Sequence, residues 1–123
     1  MMLAVAAHED LELRQFDVRT AFLNAPLDSE VYLRPPSGFE HLAGGPGRVL
    51  RLHRALYGLR QASRAWNKQL ERELTARGFV QSDADPSLWL LRDAAGTVLT
   101  MFYVDDGMAV SYTHLTLPTI YSV

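Results

Sequence analysis

Residues 98–110 read Val98-Leu99-Thr100-Met101-Phe102-Tyr103-Val104-Asp105-Asp106-Gly107-Met108-Ala109-Val110. Val98–Tyr103 is a largely apolar, strand-favouring run, and Met108–Val110 resumes it. Asp106-Gly107 lies between them, the dipeptide that tight hairpins select because glycine tolerates a positive φ. The stretch predicts two antiparallel strands turned at Asp-Gly, with two adjacent carboxylates at the tip.

Outward from this hairpin the chain continues in short elements. Ser87–Leu91 reads as a strand joined to Val98 through Asp93–Thr97. Ala62, Trp66, Leu70 and Leu74 recur every four residues, which predicts a helix over 62–77 with one apolar stripe. Gly78 follows as its C-terminal cap. Glu12–Asp17 alternates polar and apolar residues and reads as a strand ending at Asp17, after a helix end in Met1–Leu11. Val18–Ala25 is a compact turn or short helix closed by Pro26. Glu30–Arg34 is a short strand stopped by Pro35-Pro36. Ser37–Gly47 is a glycine-rich loop, and Arg48–Leu52 alternates again. The sum is an α+β fold: a short antiparallel sheet with helices packed on one face.

The 123 residues suit one domain, and 48% hydrophobic with 21% charged residues is a globular balance. No cysteine is present, which excludes a disulfide scaffold and any thiolate metal site. Met1–Ala7 is too short for a signal-peptide core, and no apolar run approaches a membrane span, so the chain reads as soluble with no membrane partner. The net charge of −2 is unevenly spread. Residues 1–47 hold three Arg against seven acids, residues 48–77 eight basic residues against two acids, and residues 78–123 one Arg against five acids. The basic middle could follow a phosphate backbone; on charge alone a solvated helix face is the favoured reading.

A lone Asp-Asp-Gly is more often a turn than a site, because Asp bonds nearby backbone. Two features reverse that here. The apolar strand before Asp105 would hold the pair rigidly at a sheet edge, and Asp17 ends a second strand that antiparallel pairing could bring alongside. Three converging carboxylates repel unless a cation neutralises them. Mg²⁺ suits all-oxygen ligation, and two such ions can activate an attacking oxygen and stabilise a leaving pyrophosphate. His8, His41, His53 and His114 are scattered, without metal-ligand spacing.

Four segments resemble copia-type retrotransposon reverse transcriptases, in the family's order. Gln15-Phe16-Asp17-Val18-Arg19-Thr20-Ala21-Phe22-Leu23-Asn24 resembles the first catalytic motif, and Glu30–Phe39 the segment that follows it. Leu56-Tyr57-Gly58-Leu59-Arg60-Gln61-Ala62-Ser63-Arg64-Ala65-Trp66 resembles the second motif and is the most diagnostic of the copia branch. Phe102-Tyr103-Val104-Asp105-Asp106 is similar to the Tyr-x-Asp-Asp box.

The resemblance implies a polymerase palm over residues 1–110 and RNA-directed DNA polymerase activity. It implies that Asp17, Asp105 and Asp106 are the catalytic carboxylates, and that they bind two Mg²⁺ (or substituting Mn²⁺) with the backbone carbonyl of Val18. Ala21, Phe22, Tyr57, Gly58 and Gln61 would line the nucleotide and template pocket, and Phe22 would exclude a 2′-hydroxyl. Tyr103 and Val104 would face the primer end. Plain core or strand-end roles for Phe22 and Tyr57 stay open, and Trp66 is expected in the core. The implied partners are an RNA/DNA template-primer, dNTPs, and the fingers, thumb and RNase H of a polyprotein. The implied location is intracellular, in cytoplasmic particles.

Two departures stand out. Ser63 replaces the family's usual proline and could serve as the helix N-cap. Ser111–Val123 does not resemble the family and is expected to be a spurious tail, translated from foreign or flanking DNA. The chain is expected to lack fingers and thumb and, by itself, activity. The alternatives to the polymerase reading are a non-catalytic relic and a nucleic-acid-binding fragment using residues 48–77.

Overall fold

The computed structural model describes residues 1–111. The elements, in chain order, are α1 (Met2–His8), β1 (Glu12–Asp17), β2 (Pro26–Leu33), β3 (Leu50–Arg54), α2 (Ala62–Ala76), β4 (Val80–Gln81), β5 (Leu88–Asp93), β6 (Gly96–Tyr103) and β7 (Asp106–Ser111). Single 3₁₀ turns lie at Ala21–Asn24 and Glu40–Ala43. The fold is α+β, and every strand pair is antiparallel. The chain divides into two compact units, Met1–Ala21 with Leu70–Val123, and Phe22–Gln69.

The first unit is built on a five-stranded sheet in the order β1-β7-β6-β5-β4. Its register sorts side chains into rows on alternating faces. Gln15, Met108, Met101 and Leu88 form one row, and Leu13, Val110, Leu99 and Leu90 another row on the same face. Phe16, Gly107 and Phe102 lie on the opposite face, with the row Arg14, Ala109, Thr100 and Trp89. On the first face, Met2 and Ala6 of α1 pack with Val110, Leu88, Leu99, Met101 and Met108. On the second face, Trp89, Val98, Thr100, Phe102 and Ala109 are all buried. Gly78, just past α2, lies against Leu91, whose row (Leu91, Val98, Ser111) is on that second face.

α1 covers the first face, and Gly78, just past α2, lies against the second. The reason is in β6 and β7, which place apolar residues on both sides, so each side needs cover.

The helix α2 shows why this sequence stops where it does. Its stripe of Ala62, Trp66, Leu70 and Leu74 is buried, each large side chain contributing about 1.5–3 kcal/mol relative to exposure. At its end Gly78 takes φ 87. The Gly78 N–H donates to the Thr75 carbonyl and the Phe79 N–H to the Leu74 carbonyl, the paired bonds of a Schellman cap. Phe79 and Leu74, the two positions whose apolar contact usually accompanies this cap, are both buried. Ser63 lies inside the first turn, so it is not the N-cap; Gln61 precedes the helix and its carbonyl accepts from the Ala65 N–H.

The second unit carries the two-stranded β2–β3 sheet, which pairs Val31 with Leu52 and Leu33 with Leu50. β2 starts earlier than the sequence reading placed it, at Pro26, with an irregularity before Val31. A proline is tolerated at a strand's first residue because no ladder N–H is needed there. Ser111 belongs to β7; the rest of the expected tail, 112–123, lies outside the described residues. Among the described residues no helix is long and apolar enough to cross a membrane.

Candidate active site

Asp17 ends β1, Asp106 begins β7, and the two are direct register partners. Beyond them the Val18 N–H donates to the Asp105 carbonyl at 2.8 Å. That bond makes Asp17–Asp106 a non-hydrogen-bonded pair, the class with Cα atoms about 4.5 Å apart and the closest opposing side chains. Val18 is buried, which anchors this corner, while Asp17 and Asp106 are exposed and Asp105 is half-buried. Sequence-distant carboxylates are thus brought to one sheet corner. No three His or acidic side chains among the described residues stand close enough together to hold a metal ion without rearrangement.

The turn differs from the sequence reading. Tyr103 pairs with Asp106, so the two-residue loop is Val104-Asp105, and Asp106-Gly107 already belongs to the return strand. Val104 takes φ 58, a conformation that costs a β-branched residue steric strain. Gly107 is required for another reason. Its neighbours across the sheet are Phe16 and Phe102, and a Cβ at Gly107 would fall inside the space of the Phe16 ring. The two rings meet edge to face with centroids 5.4 Å apart. The sequence marked Gly107 only as a turn residue and Phe16 only within a motif; their complementarity is visible only once the β1–β7 register is known.

The expected primer-end residues are at the surface, Tyr103 81% and Val104 41% exposed. Ala21 is fully buried. In the second unit, Phe22 is buried and its ring lies 4.6 Å from that of the exposed Tyr57, tilted by 50°. Gly58 follows with φ 94, and Gln61 is half-buried at the start of α2. Phe22 and Tyr57, distant in sequence, thus form one aromatic pair. Trp66 is fully buried, as expected of a core residue.

The basic middle of the chain spends much of its charge on protein partners. Arg51 pairs with Glu30 at 3.2 Å, Lys68 with Asp28 at 2.9 Å, and Arg77 with Glu73. Arg54 donates to the Asn24 carbonyl at 3.0 Å. These contacts favour the solvated-face reading over a continuous phosphate track. The Lys68 hydrogen bond, with its charge second, holds the Asp28 carboxyl below its ordinary value. Asp85 is lowered too, by the Ser87 hydroxyl and then its backbone N–H.

Comparison with known proteins shows the family. The profile of the reverse transcriptase (RNA-dependent DNA polymerase) family matches residues 1–118. The chain is 36% identical over 110 residues to the retrovirus-related Pol polyprotein from transposon TNT 1-94 of Nicotiana tabacum, covering 89% of this chain and 8% of that protein. It is 42% identical over 106 residues to the corresponding polyprotein from transposon RE2 of Arabidopsis thaliana, covering 86% and 7%. It is 34% identical over 90 residues to the putative transposon Ty5-1 protein of Saccharomyces cerevisiae, covering 73% and 29%. The chain therefore spans less than a third of each of these relatives. No solved structure matches.

Proposed function

The chain belongs to the reverse transcriptase (RNA-dependent DNA polymerase) family, and from that premise we propose that it is the palm segment of a transposon Pol polyprotein whose carboxylate corner performs nucleotidyl transfer. The observation that supports this best is the direct pairing of Asp17 with Asp106 at the β1–β7 end, closed by the Val18–Asp105 backbone bond. Acidic residues held on two rigid strands, with a third on the adjoining turn, are what phosphoryl-type transfer asks of a protein, since positioning and charge stabilisation do most of the work.

The donor set fits Mg²⁺: every candidate ligand is a hard oxygen, and two of the carboxylates oppose each other at minimum strand separation. Asp17, Asp105 and Asp106 would hold the ions, with the Val18 carbonyl as a further ligand, once the exposed Asp17 and Asp106 side chains turn towards Asp105. When bound, the two ions would supply charge neutralisation for the attacking 3′-oxygen and the departing pyrophosphate. In the same unit, Tyr103 and Val104, exposed at the hairpin tip, would contact the primer end. The family resemblance gives Phe22 the selection of deoxynucleotides, and gives Ala21, Tyr57, Gly58 and Gln61 the nucleotide and template contacts.

The template-primer hybrid would be held by shape and backbone contacts rather than by sequence reading. The fingers, thumb and RNase H would come from the remainder of the polyprotein. Primer extension by the polyprotein carrying this segment tests the reading. Asp105→Asn is expected to abolish extension, and near-normal extension by that variant would refute it.

A further inference from the structure

We propose that Phe16 and Gly107 are a positioning pair: the Phe16 ring, seated where Gly107 lacks a side chain, fixes the register of β1 on β7 and so sets Asp17 opposite Asp106. This rests on the carboxylate-site reading for its functional meaning, but its structural content stands apart from it.

β1 is the edge strand of its sheet. Of its six residues, Glu12, Leu13, Arg14, Gln15 and Asp17 are exposed, and only Phe16 is half-buried. Strand register is specified where one face is buried and is loosely specified where it is not. Burial within β1 therefore selects no register except through Phe16. A slip of one residue would turn Asp17 to the other face of the sheet. A slip of two would keep the face and put Asp17 opposite a residue other than Asp106.

Phe16 resists both slips through shape. Its register partner is Gly107, flanked on the next strand by Phe102. The ring lies across the glycine and meets the Phe102 ring edge to face at 5.4 Å. The ring atoms that occupy the glycine's Cβ space are Cε1, Cε2 and Cζ, the outer half of the ring. A slip of one residue would turn the ring to the other face beside the Asp106 or Met108 side chain, and a slip of two towards Met108 and beyond would set it against the Ala109 methyl, so only Gly107 offers a partner with no side chain. Asp17 is the residue after Phe16 and Asp106 the residue before Gly107, so the seat of the ring and the pairing of the carboxylates are one geometric event.

The outer ring atoms supply a selective test, because leucine lacks them. The full chain contains no cysteine, so Gln15→Cys with Met108→Cys introduces one thiol pair at register partners. These two residues share the non-hydrogen-bonded class of Asp17–Asp106, where Cα atoms are close enough for a disulfide. In this background the thiols are expected to cross-link under mild oxidation. Gly107→Ala should lower cross-linking and the Mn²⁺ affinity of the folded protein, each about tenfold. Adding Phe16→Leu to Gly107→Ala should restore both, since the clashing atoms are gone.

Should Gly107→Ala alone unfold the chain, recovery of folding and cross-linking in the double variant carries the same information. Undiminished cross-linking in Gly107→Ala, or a double variant no better than the single one, overturns the proposal. Cross-linking that follows the expected pattern in a chain that binds no Mn²⁺ upholds the positioning pair and refutes the metal-site reading.

Discussion

Asp17 and Asp106 face each other across β1 and β7 as a non-hydrogen-bonded pair, with the Val18–Asp105 backbone bond closing the ladder beside them. Two like charges directly opposite on neighbouring strands destabilise a sheet. The site is thus a place where folding alone would favour a neutral residue.

Asp17→Asn is therefore expected to stabilise the chain by about 0.2–1 kcal/mol in metal-free buffer, towards the lower figure because both groups are solvated. The same variant should lose Mn²⁺ binding. Urea unfolding in chelator, beside Mn²⁺ titration by electron paramagnetic resonance, measures both. A variant that is less stable than its parent contradicts the opposed-charge account.

Val104 holds φ 58 at the hairpin tip, where an L residue other than glycine bears about 1–2 kcal/mol of strain. Val104→Gly relieves that strain, less the roughly 0.5–1 kcal/mol that glycine's extra unfolded freedom costs. A net gain of about 0.5–1 kcal/mol in urea unfolding is expected. Primer extension by the parent polyprotein should fall, because a glycine tip lets Asp105 and Asp106 move. A stabilised variant with full extension would show that the strained tip plays no part in positioning.

The Lys68–Asp28 pair predicts a pH response of known sign. Asp28 is held below its ordinary value, so its contribution favours the folded chain above the ordinary carboxylate range and is lost as pH falls through the lowered value. Both side chains are exposed, so salt should weaken the effect. In a carboxyl NMR titration, Lys68→Met should move Asp28 upward and leave Asp85 in place, because Asp85 is held by Ser87. An unmoved Asp28 would show that the pair does not persist in solution.

Local signals carried much of the fold. β1 was legible from end to end because its alternation stops at Asp17, and α2 because four stripe residues and Gly78 name its face and its end. The turn was misplaced by a strong local signal: Asp106-Gly107 matches a hairpin turn, yet Gly107 is required beneath Phe16, a constraint from a distant strand. β4, with two residues, is too short for any periodicity to reveal. Apolar residues on both sides of β6 and β7 were present in the sequence, but which helix covers which side depends on connections that patterning does not encode. At the candidate site, Asp17 at a strand end and Asp105-Asp106 at a hairpin tip anticipated that these carboxylates would meet. Phe22 and Tyr57 entered singly, through resemblance, and their ring contact had no local signature.

The edge position of β1 also bears on the order of events during synthesis. Among the described residues β1 pairs with β7 alone in its sheet, and β7 is made after the other described strands and both described helices. Until then β1 is a strand without a partner, the kind of segment that invites pairing between chains. Its composition suits a long wait: Glu12, Arg14 and Asp17 keep it charged, and Phe16 is its one bulky aromatic. Such charges act as gatekeepers against premature association. The carboxylate that chemistry would use late in the life of the molecule thus helps keep the nascent chain apart from its neighbours early on.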